Sequence, residues 1–275
     1  MKINRITTIL LSAGLFCLPA IGMAKDKTPT AIQWDDNSQA VYDLLVAELQ
    51  NADADYASSA DTLVKFAKKQ KDDRLFAKAF RTLLQTERYG DAVDLMTTWK
   101  KNTKLPIDEL YVLSLVLDKQ TDKALSVIKD NITTDSDDNT DTDDTDSHND
   151  KLIGYIQILM ENWYHPETLT VIEKLYDTYP DNDMVGRAYA QLTSYYGKID
   201  KAIKVIDKHI FKTPTDVGFL QVKSDIYRYD LRLKDAEKVW TDSLNDYPKN
   251  NDIRLAYAQF LYDKYDFQAA EKQLQ

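Results

Sequence analysis

The stretch DVGFLQVKSDIYRYDLRLKDAEKVWTDSLNDYPKN, residues 216–250, contains two helix-length segments that are separated by a short turn and closed by a proline. The first helix is predicted around Phe219–Tyr229, the turn near Leu231–Lys234, and the second helix over Asp235–Asp246. Pro248 ends the second helix because proline lacks the amide donor and clashes with the preceding helical turn. The stretch therefore predicts an antiparallel helical hairpin.

The same pattern returns along the chain at a fixed step. Three prolines and three alanines recur every 34 residues: Pro180, Pro214, Pro248, Ala202, Ala236 and Ala270. Within the quoted hairpin, Ser224 and Ala236 are small enough to let the two helices approach closely, whereas Trp240 fills the seam between them. A repeat of this length indicates a stack of hairpins rather than a globule around one central core.

Corresponding residues occur in the neighbouring units. They are Ala258, Leu261, Ala270 and Leu274 one step later, Ala190, Ala202, Ile206 and Pro214 one step earlier, and Ile156, Ile172 and Pro180 before those. On these residues and this spacing, residues 149–275 resemble tetratricopeptide repeat (TPR) proteins. The resemblance implies an all-α, right-handed superhelical solenoid of antiparallel helix hairpins that binds a protein or peptide partner and needs no cofactor.

The N-terminal part carries the pattern less regularly. Tyr89–Ala92 is similar to the turn and second-helix start of one unit, Asp122–Ala124 to those of another, and a first unit is expected over Gln39–Lys71. The stretch Val41–Leu49 is also similar to the opening of uncharacterised secreted repeat proteins of proteobacteria, many of them lipoproteins. We therefore expect TPR-like helical repeats over residues 25–132.

Residues 1–24 have the composition of a secretion signal. Lys2 and Arg5 precede an apolar run from Ile9 to Ile21, and small residues precede the expected cleavage after Ala24. The run is too short for a membrane span, and no later stretch reaches the roughly 18 apolar residues that a span requires. We expect a soluble mature chain in the periplasm of a bacterium or secreted from it.

Cys17 is the only cysteine, and it lies inside this signal. Leu15 and Phe16 precede it, whereas a bacterial lipobox has small residues there, so we expect no lipid anchor. Because no thiol remains in the mature chain, the sequence excludes disulfides, thiolate catalysis and cysteine-bound metals.

The charge of the chain argues against a nucleic-acid partner. The formal net charge is −10 and becomes −12 without the two basic residues of the signal, and no basic stripe offsets it. Phosphate binding relies on clustered lysine and arginine side chains.

Residues 133–150, TTDSDDNTDTDDTDSHND, contain no apolar side chain. Such a segment gains nothing on burial to offset its ordering entropy, so it is predicted to be a disordered acidic linker that splits the solenoid into two arrays. A calcium site is the alternative, because five side chains fall at offsets similar to an EF-hand loop: Asp135, Asp137, Asn139, Asp141 and Asp146. That loop needs glycine where Thr140 stands and glutamate where Asp146 stands, so we expect only diffuse attraction of cations and no metal site.

Catalytic patterns are missing from the sequence. His148 lies in the acidic segment, His165 lies beside a proline, and His209 lies near a helix end, so no two histidines have metal-ligand spacing and none accompanies a nucleophile. The glycines are scattered singly and form no phosphate-binding loop. The sequence therefore predicts a protein without enzymatic activity.

One face of the predicted first helices repeats a polar position every 34 residues: Gln157, Gln191, Asp225 and Gln259. Positions three or four residues away share that face, and they add Arg187, Tyr195, Gln221, Arg228, Tyr229 and Tyr262. In TPR proteins the first helix of each hairpin lines the concave wall, so the resemblance implies that these ten residues form a groove. Amides, guanidinium groups and tyrosine rings suit an extended peptide; the alternative is a solvated helix face without a ligand.

The C-terminal array is expected over residues 151–275, with its last repeat incomplete. The chain stops at Gln275 inside a second helix, which would leave four seam residues uncovered: Leu261, Phe267, Ala270 and Leu274. Such an end indicates either a surface for a partner or a second copy of the chain, or a truncated chain.

Together these features predict a non-enzymatic periplasmic scaffold or adaptor for protein–protein interactions in cell-envelope assembly or maintenance. One alternative is a helical-repeat enzyme that processes the glycan of peptidoglycan. Another is a subunit of an envelope complex that is recruited through the open C-terminal end.

Overall fold

The computed structural model describes residues 36–133 and 144–275. These ranges contain fourteen α-helices and no strand. The helices in the first range are α1 (Asp36–Ala52), α2 (Tyr56–Gln70), α3 (Asp73–Gln85), α4 (Tyr89–Lys100), α5 (Asp108–Leu117) and α6 (Thr121–Thr133). Those in the second range are α7 (Asp144–Glu161), α8 (Pro166–Thr178), α9 (Asp183–Tyr195), α10 (Ile199–Lys212), α11 (Val217–Tyr229), α12 (Leu233–Asp246), α13 (Asn251–Asp263) and α14 (Phe267–Leu274).

Three first helices, α9, α11 and α13, begin at caps that follow the same 34-residue step. Asn182, Asp216 and Asn250 each accept a hydrogen bond from the backbone amide three residues later, at 3.0, 3.1 and 3.0 Å. Each side chain satisfies an amide that the first helical turn leaves without a partner. Because each cap follows a repeated proline by two residues, the sequence encodes a helix stop and the next helix start together.

Each hairpin has one buried residue on its first helix and another 12 positions later on its second helix. In chain order the pairs are Ala47 and Ser59, Phe80 and Ala92, Val112 and Ala124, Ile156 and Thr168, Ala190 and Ala202, Ser224 and Ala236, and Ala258 and Ala270. The second member is always alanine, serine or threonine, which lets the helices approach closely. The Ser59 hydroxyl donates to the Ala47 carbonyl at 2.9 Å, and the Ser224 hydroxyl donates to the Ala236 carbonyl at 3.1 Å.

From the third hairpin onward, successive hairpins contact each other through their first helices, so that α5, α7, α9, α11 and α13 are neighbours in that order. One buried apolar cluster extends from Ala47 to Ile226, and a second, from Leu220 to Ala270, fills the last two hairpins. The described chain is therefore an all-α solenoid of helical hairpins, as the sequence predicts.

The two predicted arrays pack against each other. Helices α7 and α8 both contact α5 and α6. Asn131 of α6 donates to the Tyr155 hydroxyl of α7 at 2.7 Å, and Lys174 of α8 pairs with Asp122 of α6 at 2.5 Å. The hairpins on either side of the acidic segment are therefore direct neighbours.

The structure describes only part of the acidic segment, namely Thr133 and residues 144–150. Thr133 ends α6, and residues 144–150 already belong to α7, so the C-terminal helices begin before the predicted residue 151. A helix can continue through polar residues because each added residue contributes a backbone hydrogen bond without any burial. Residues 134–143 lie outside the described residues, and so do four of the five calcium candidates and the signal segment with its cleavage site.

The last hairpin buries part of the seam that was expected to be open. Leu261 and Ala270 are buried, and Ala270 is one member of the pair that joins α13 to α14. Phe267 and Leu274 are exposed, as predicted. Among the helices of the described ranges, none combines the length and apolar character that a membrane crossing requires.

Candidate functional site

The ten predicted groove residues lie on α7, α9, α11 and α13, which form one continuous wall. Six of them are exposed: Gln157, Gln191, Tyr195, Tyr229, Gln259 and Tyr262. The other four are partly buried: Arg187, Gln221, Asp225 and Arg228. The predicted face is therefore accessible, but its charged members are more enclosed than its tyrosines.

A cleft of about 690 Å³ lies on this wall, between the C-terminal halves of α9 and α11 and the end of α7. Four predicted residues line it: Gln191, Tyr195, Asp225 and Tyr229. Nine further residues complete it: Met160, Trp163, Leu192, Ser194, Gly197, Ile199, Val222, Ile226 and Asp230. We call this the α7–α9–α11 cleft.

Aromatic side chains form one side of the cleft. Trp163 lies in the turn after α7, and its ring meets that of Tyr195 edge to face, with centroids 4.0 Å apart. The Tyr196 hydroxyl donates to the Trp163 carbonyl at 3.3 Å and fixes this turn against α9. Tyr229, on the other side, is 82% exposed. A bound group would therefore meet ring faces that are already held in place by their neighbours, at least at Trp163 and Tyr195.

Sequence reasoning did not identify Trp163 or Met160. Trp163 stands 32 residues before Tyr195, so the 34-residue step does not connect the two aromatic residues. It also lies in a turn, where helical spacing gives no information about direction. The one signal for it in the sequence is a tryptophan three residues before Pro166, a residue type that is common at turns and helix starts.

The polar side chains of the wall are engaged in hydrogen bonds along their own helices. Asp225 accepts from Gln221 at 2.9 Å and from Arg228 at 3.2 Å. Gln259 donates to Asp263 at 2.8 Å on α13. These contacts orient the Asp225 carboxylate and leave it further acceptor capacity, because an ionised carboxylate has about four lone-pair sites.

Arg187 does not line the α7–α9–α11 cleft, although the sequence predicts it in the groove. It pairs with Asp216 at 3.3 Å, and its guanidinium carbon lies 4.5 Å from the centroid of the Phe219 ring. Gly218 makes this possible, since a Cβ there would lie 2.4 Å from an Arg187 nitrogen. The side chain therefore joins α9 to α11, and it borders a separate cleft of about 560 Å³ beside the α8–α9 turn.

The five remaining predicted residues also lie outside the cleft lining, and two of them, Gln221 and Arg228, are on α11 beside Asp225. Gln157 is on α7, and Gln259 and Tyr262 are on α13. Tyr262 contacts Phe267 edge to face, with ring centroids 5.2 Å apart. These residues extend the wall in both directions from the cleft.

The described part of the chain contains no group of three or more histidine, cysteine or acidic side chains placed to hold a metal ion. Burial lowers the pKa of His165, whose ring lies edge to face with that of Tyr89 and tilted against that of Tyr164. Hydrogen bonds from Lys201 and Tyr189 lower the pKa of Glu173, which joins α8 to α9 and α10. Both environments are those of packing contacts between helices.

No family model matches this sequence, and no curated protein matches it closely enough to be named as a relative. The predicted likeness to secreted proteobacterial repeat proteins therefore finds no support. Among solved structures, a tetratricopeptide repeat protein from Parabacteroides merdae is 12% identical, with 85% of this chain and 93% of that chain covered and a TM-score of 0.37.

Two further structures are similar in the same way. A thermophilic TPR protein from Thermus thermophilus is 16% identical, covering 81% of this chain and 99% of that one, with a TM-score of 0.30. The TPR2AB domain of yeast Sti1, in a complex with pHSP90, is 11% identical, covering 86% and 89%, with a TM-score of 0.26. The 34-residue step and the seven buried pairs define the architecture independently of these likenesses.

The fold is an all-α solenoid of helical hairpins. In this solenoid the α7–α9–α11 cleft lies on the wall of first helices, at the ends that lead into the intra-hairpin turns. The exposed Phe211, by contrast, is on the second helix α10 and does not line the cleft.

Proposed function

We propose that this solenoid is a non-enzymatic periplasmic TPR scaffold or adaptor that binds its protein partners through extended peptide segments. The α7–α9–α11 cleft carries the proposal, because it gathers exposed aromatic rings and oriented polar groups on one wall of the repeat. Aromatic rings supply large contact areas at low conformational cost, and truncation of such anchors dominates the energetics of many interfaces. We propose that the protein and its partners act in the assembly or maintenance of the cell envelope.

The periplasmic location rests on the sequence of the first 24 residues. A basic start, an apolar run and small residues before Ala24 are the parts of a secretory signal. N-terminal sequencing of the protein recovered from the periplasmic fraction should begin at Lys25. Recovery from the cytoplasm with Met1 retained would contradict the location.

Peptide binding can be tested with a displayed library of random peptides, selected against the mature chain. Enriched peptides are synthesised, and their dissociation constants are measured for the wild type and for Tyr195→Ala/Tyr229→Ala. Each anchor commonly contributes more than about 1 kcal/mol, so the double variant should bind at least tenfold more weakly.

The matched control is Phe211→Ala, which removes an exposed aromatic side chain from α10. It should bind like the wild type, and all three proteins should keep the same melting temperature within a few degrees. Failure of the library to yield any peptide, or equal weakening by the control, would refute the groove.

A further inference from the structure

The lining of the α7–α9–α11 cleft is negatively charged. Asp225 and Asp230 contribute carboxylates, and the lining residues include no lysine, arginine or histidine. Arg228 reaches Asp225 from the same helix and neutralises part of its charge, which leaves the pair of carboxylates with a net negative charge. Water-accessible negative charge beside low-dielectric walls attracts cations more than it would on a flat surface.

The same lining offers three aromatic rings, those of Trp163, Tyr195 and Tyr229. The face of an aromatic ring attracts a cation within about 6 Å, most strongly for tryptophan. Behind the rings, apolar side chains form the rest of the surface: Met160, Leu192, Ile199, Val222 and Ile226. An apolar surface with aromatic rings and a carboxylate matches a long aliphatic stem that ends in a positive charge.

A shallow depression adjoins the cleft and shares Gly197, Ile199 and Asp230 with it. It carries Lys198 and Lys201. Lys201 is held by Glu173 at 2.7 Å, so its charge is already matched by another helix. The negative character of the cleft is therefore strongest on the Asp225 side, away from the two lysines.

We infer that the α7–α9–α11 cleft binds a lysine or arginine side chain of the partner peptide. The stem of that side chain packs on the apolar surface, and its charged end lies among the three rings and the Asp225 and Asp230 carboxylates. The inference rests on the proposed peptide-binding function and specifies the chemistry of the partner. An acidic segment would place its carboxylates against those of the cleft, which opposes binding, and the net charge of −10 disfavours it further.

The test uses the peptides that the library yields. Each lysine or arginine in them is replaced in turn by norleucine, which keeps the aliphatic stem and removes the charge, and by glutamate. At the peptide position that enters the cleft, norleucine should weaken binding to the wild-type protein about tenfold, and glutamate should weaken it further. Raising the salt concentration should reduce the difference between the lysine and norleucine peptides.

The protein side of the test is Asp225→Asn/Asp230→Asn. For this variant the ratio of the dissociation constants of the norleucine and lysine peptides should fall to about one- to threefold, since the lysine charge has lost its carboxylate partners. Asp242→Asn removes one carboxylate from the exposed face of α12 and should leave the full ratio unchanged. Melting curves of all variants show whether the fold is retained.

The outcomes separate the two proposals. Peptides that need Tyr195 and Tyr229 but tolerate norleucine at every basic position would overturn the cation site and leave the groove intact. Selected peptides without lysine or arginine, or an unchanged ratio in Asp225→Asn/Asp230→Asn, would do the same. Binding that is independent of Tyr195 and Tyr229 would overturn both.

Discussion

A Cβ atom on Gly186 of α9 would lie 2.2 Å from Nε2 of His209 on α10. The imidazole is 1% exposed, stacks on Phe219 with ring centroids 4.8 Å apart, and places Nδ1 3.2 Å from an oxygen of Asp183. A real Cβ does not approach another heavy atom to 2.2 Å. The His209 ring therefore fills the space beside α9 that a side chain at position 186 would need. Nε2 has no hydrogen-bond partner among the described residues, which is explained by its position against this bare backbone.

Gly186→Ala should therefore destabilise the protein by about 1–3 kcal/mol, the usual cost of overpacking a core. In a His209→Ala background the same change should become neutral or stabilising, because alanine is otherwise favoured over glycine inside a helix by roughly 0.5–1 kcal/mol. Urea unfolding of the two single variants and the double variant measures the coupling. Equal effects of Gly186→Ala in both backgrounds would contradict the contact.

Among the hairpins formed by α7–α14, two intra-hairpin turns place large side chains in the left-handed backbone region. Gly197 has φ +77° in the α9–α10 turn, whereas Leu231 has φ +61° one step later and Tyr265 has φ +64° after another step. A residue with a Cβ pays about 1–2 kcal/mol for this conformation. Leu231 is also 84% exposed, so its side chain contributes little packing in return.

Leu231→Gly should therefore raise the melting temperature, with a net gain of up to about 1 kcal/mol after the greater flexibility of glycine in the unfolded chain is counted. Leu231→Ala is the matched control: it removes the same side chain but keeps the Cβ, so it should give no such gain. A larger gain for alanine than for glycine would show that exposed apolar area, not backbone strain, is the cause.

The sequence predicts the parts of this structure that repeat. The step from Pro180 to Pro214 to Pro248 locates the helix stops, and the buried alanines locate the contact between paired helices. These features depend on neighbours within about one repeat, so a single sequence contains them.

The parts that do not repeat depend on contacts between units. Arg187 was predicted to lie in the groove, and the sequence alone does not reveal that Asp216 and Phe219 of the next hairpin contact it. Trp163 was missed because its direction is set by a turn. The stacking of α7 on α5 and α6 was missed because the polar segment between α6 and α7 carries no apolar pattern that would connect them.

Glu173 makes a testable contribution to stability at acidic pH. Hydrogen bonds from Lys201 and Tyr189 hold its pKa below the ordinary value of 4.5. Its contribution to folding is therefore present above that value and is lost as pH falls through the lower pKa of the folded state. Glu173→Gln should lower the free energy of unfolding at neutral pH and flatten its decline on acidification. Glu271→Gln, on an exposed position of α14, should leave the slope unchanged in the same urea titrations.

A chain of two hydrogen bonds inside the α11–α12 hairpin predicts that the loss of a single hydroxyl group lowers the free energy of unfolding. The Trp240 indole donates to the Ser224 hydroxyl at 3.0 Å, and that hydroxyl donates to the Ala236 carbonyl at 3.1 Å. All three residues are buried. Ser224→Ala leaves the indole N–H without this acceptor and should cost about 1–3 kcal/mol. Ala190 and Ala258 occupy the equivalent positions of the flanking hairpins, so the alanine itself fits the space; a neutral result would show that the hydrogen bonds add nothing to close packing.

The junction between α6 and α7 decides whether the solenoid unfolds as one body. Tyr155 is buried between the two helices, its hydroxyl accepts a hydrogen bond from Asn131, and burial raises its pKa to about 12. Tyr155→Ala should destabilise the protein by about 3–5 kcal/mol, as expected for a large buried aromatic residue. Because α7 and α8 pack on α5 and α6, a loss of stability at this junction should shift the unfolding transitions of both halves together.

Two probes can follow these transitions: fluorescence from a label at an introduced cysteine in α3, and a second label in α13. Coincident transitions that shift by the same amount support one stacked solenoid, whereas a transition at α3 that stays in place while α13 unfolds earlier would mean that the two halves are joined only through the acidic segment.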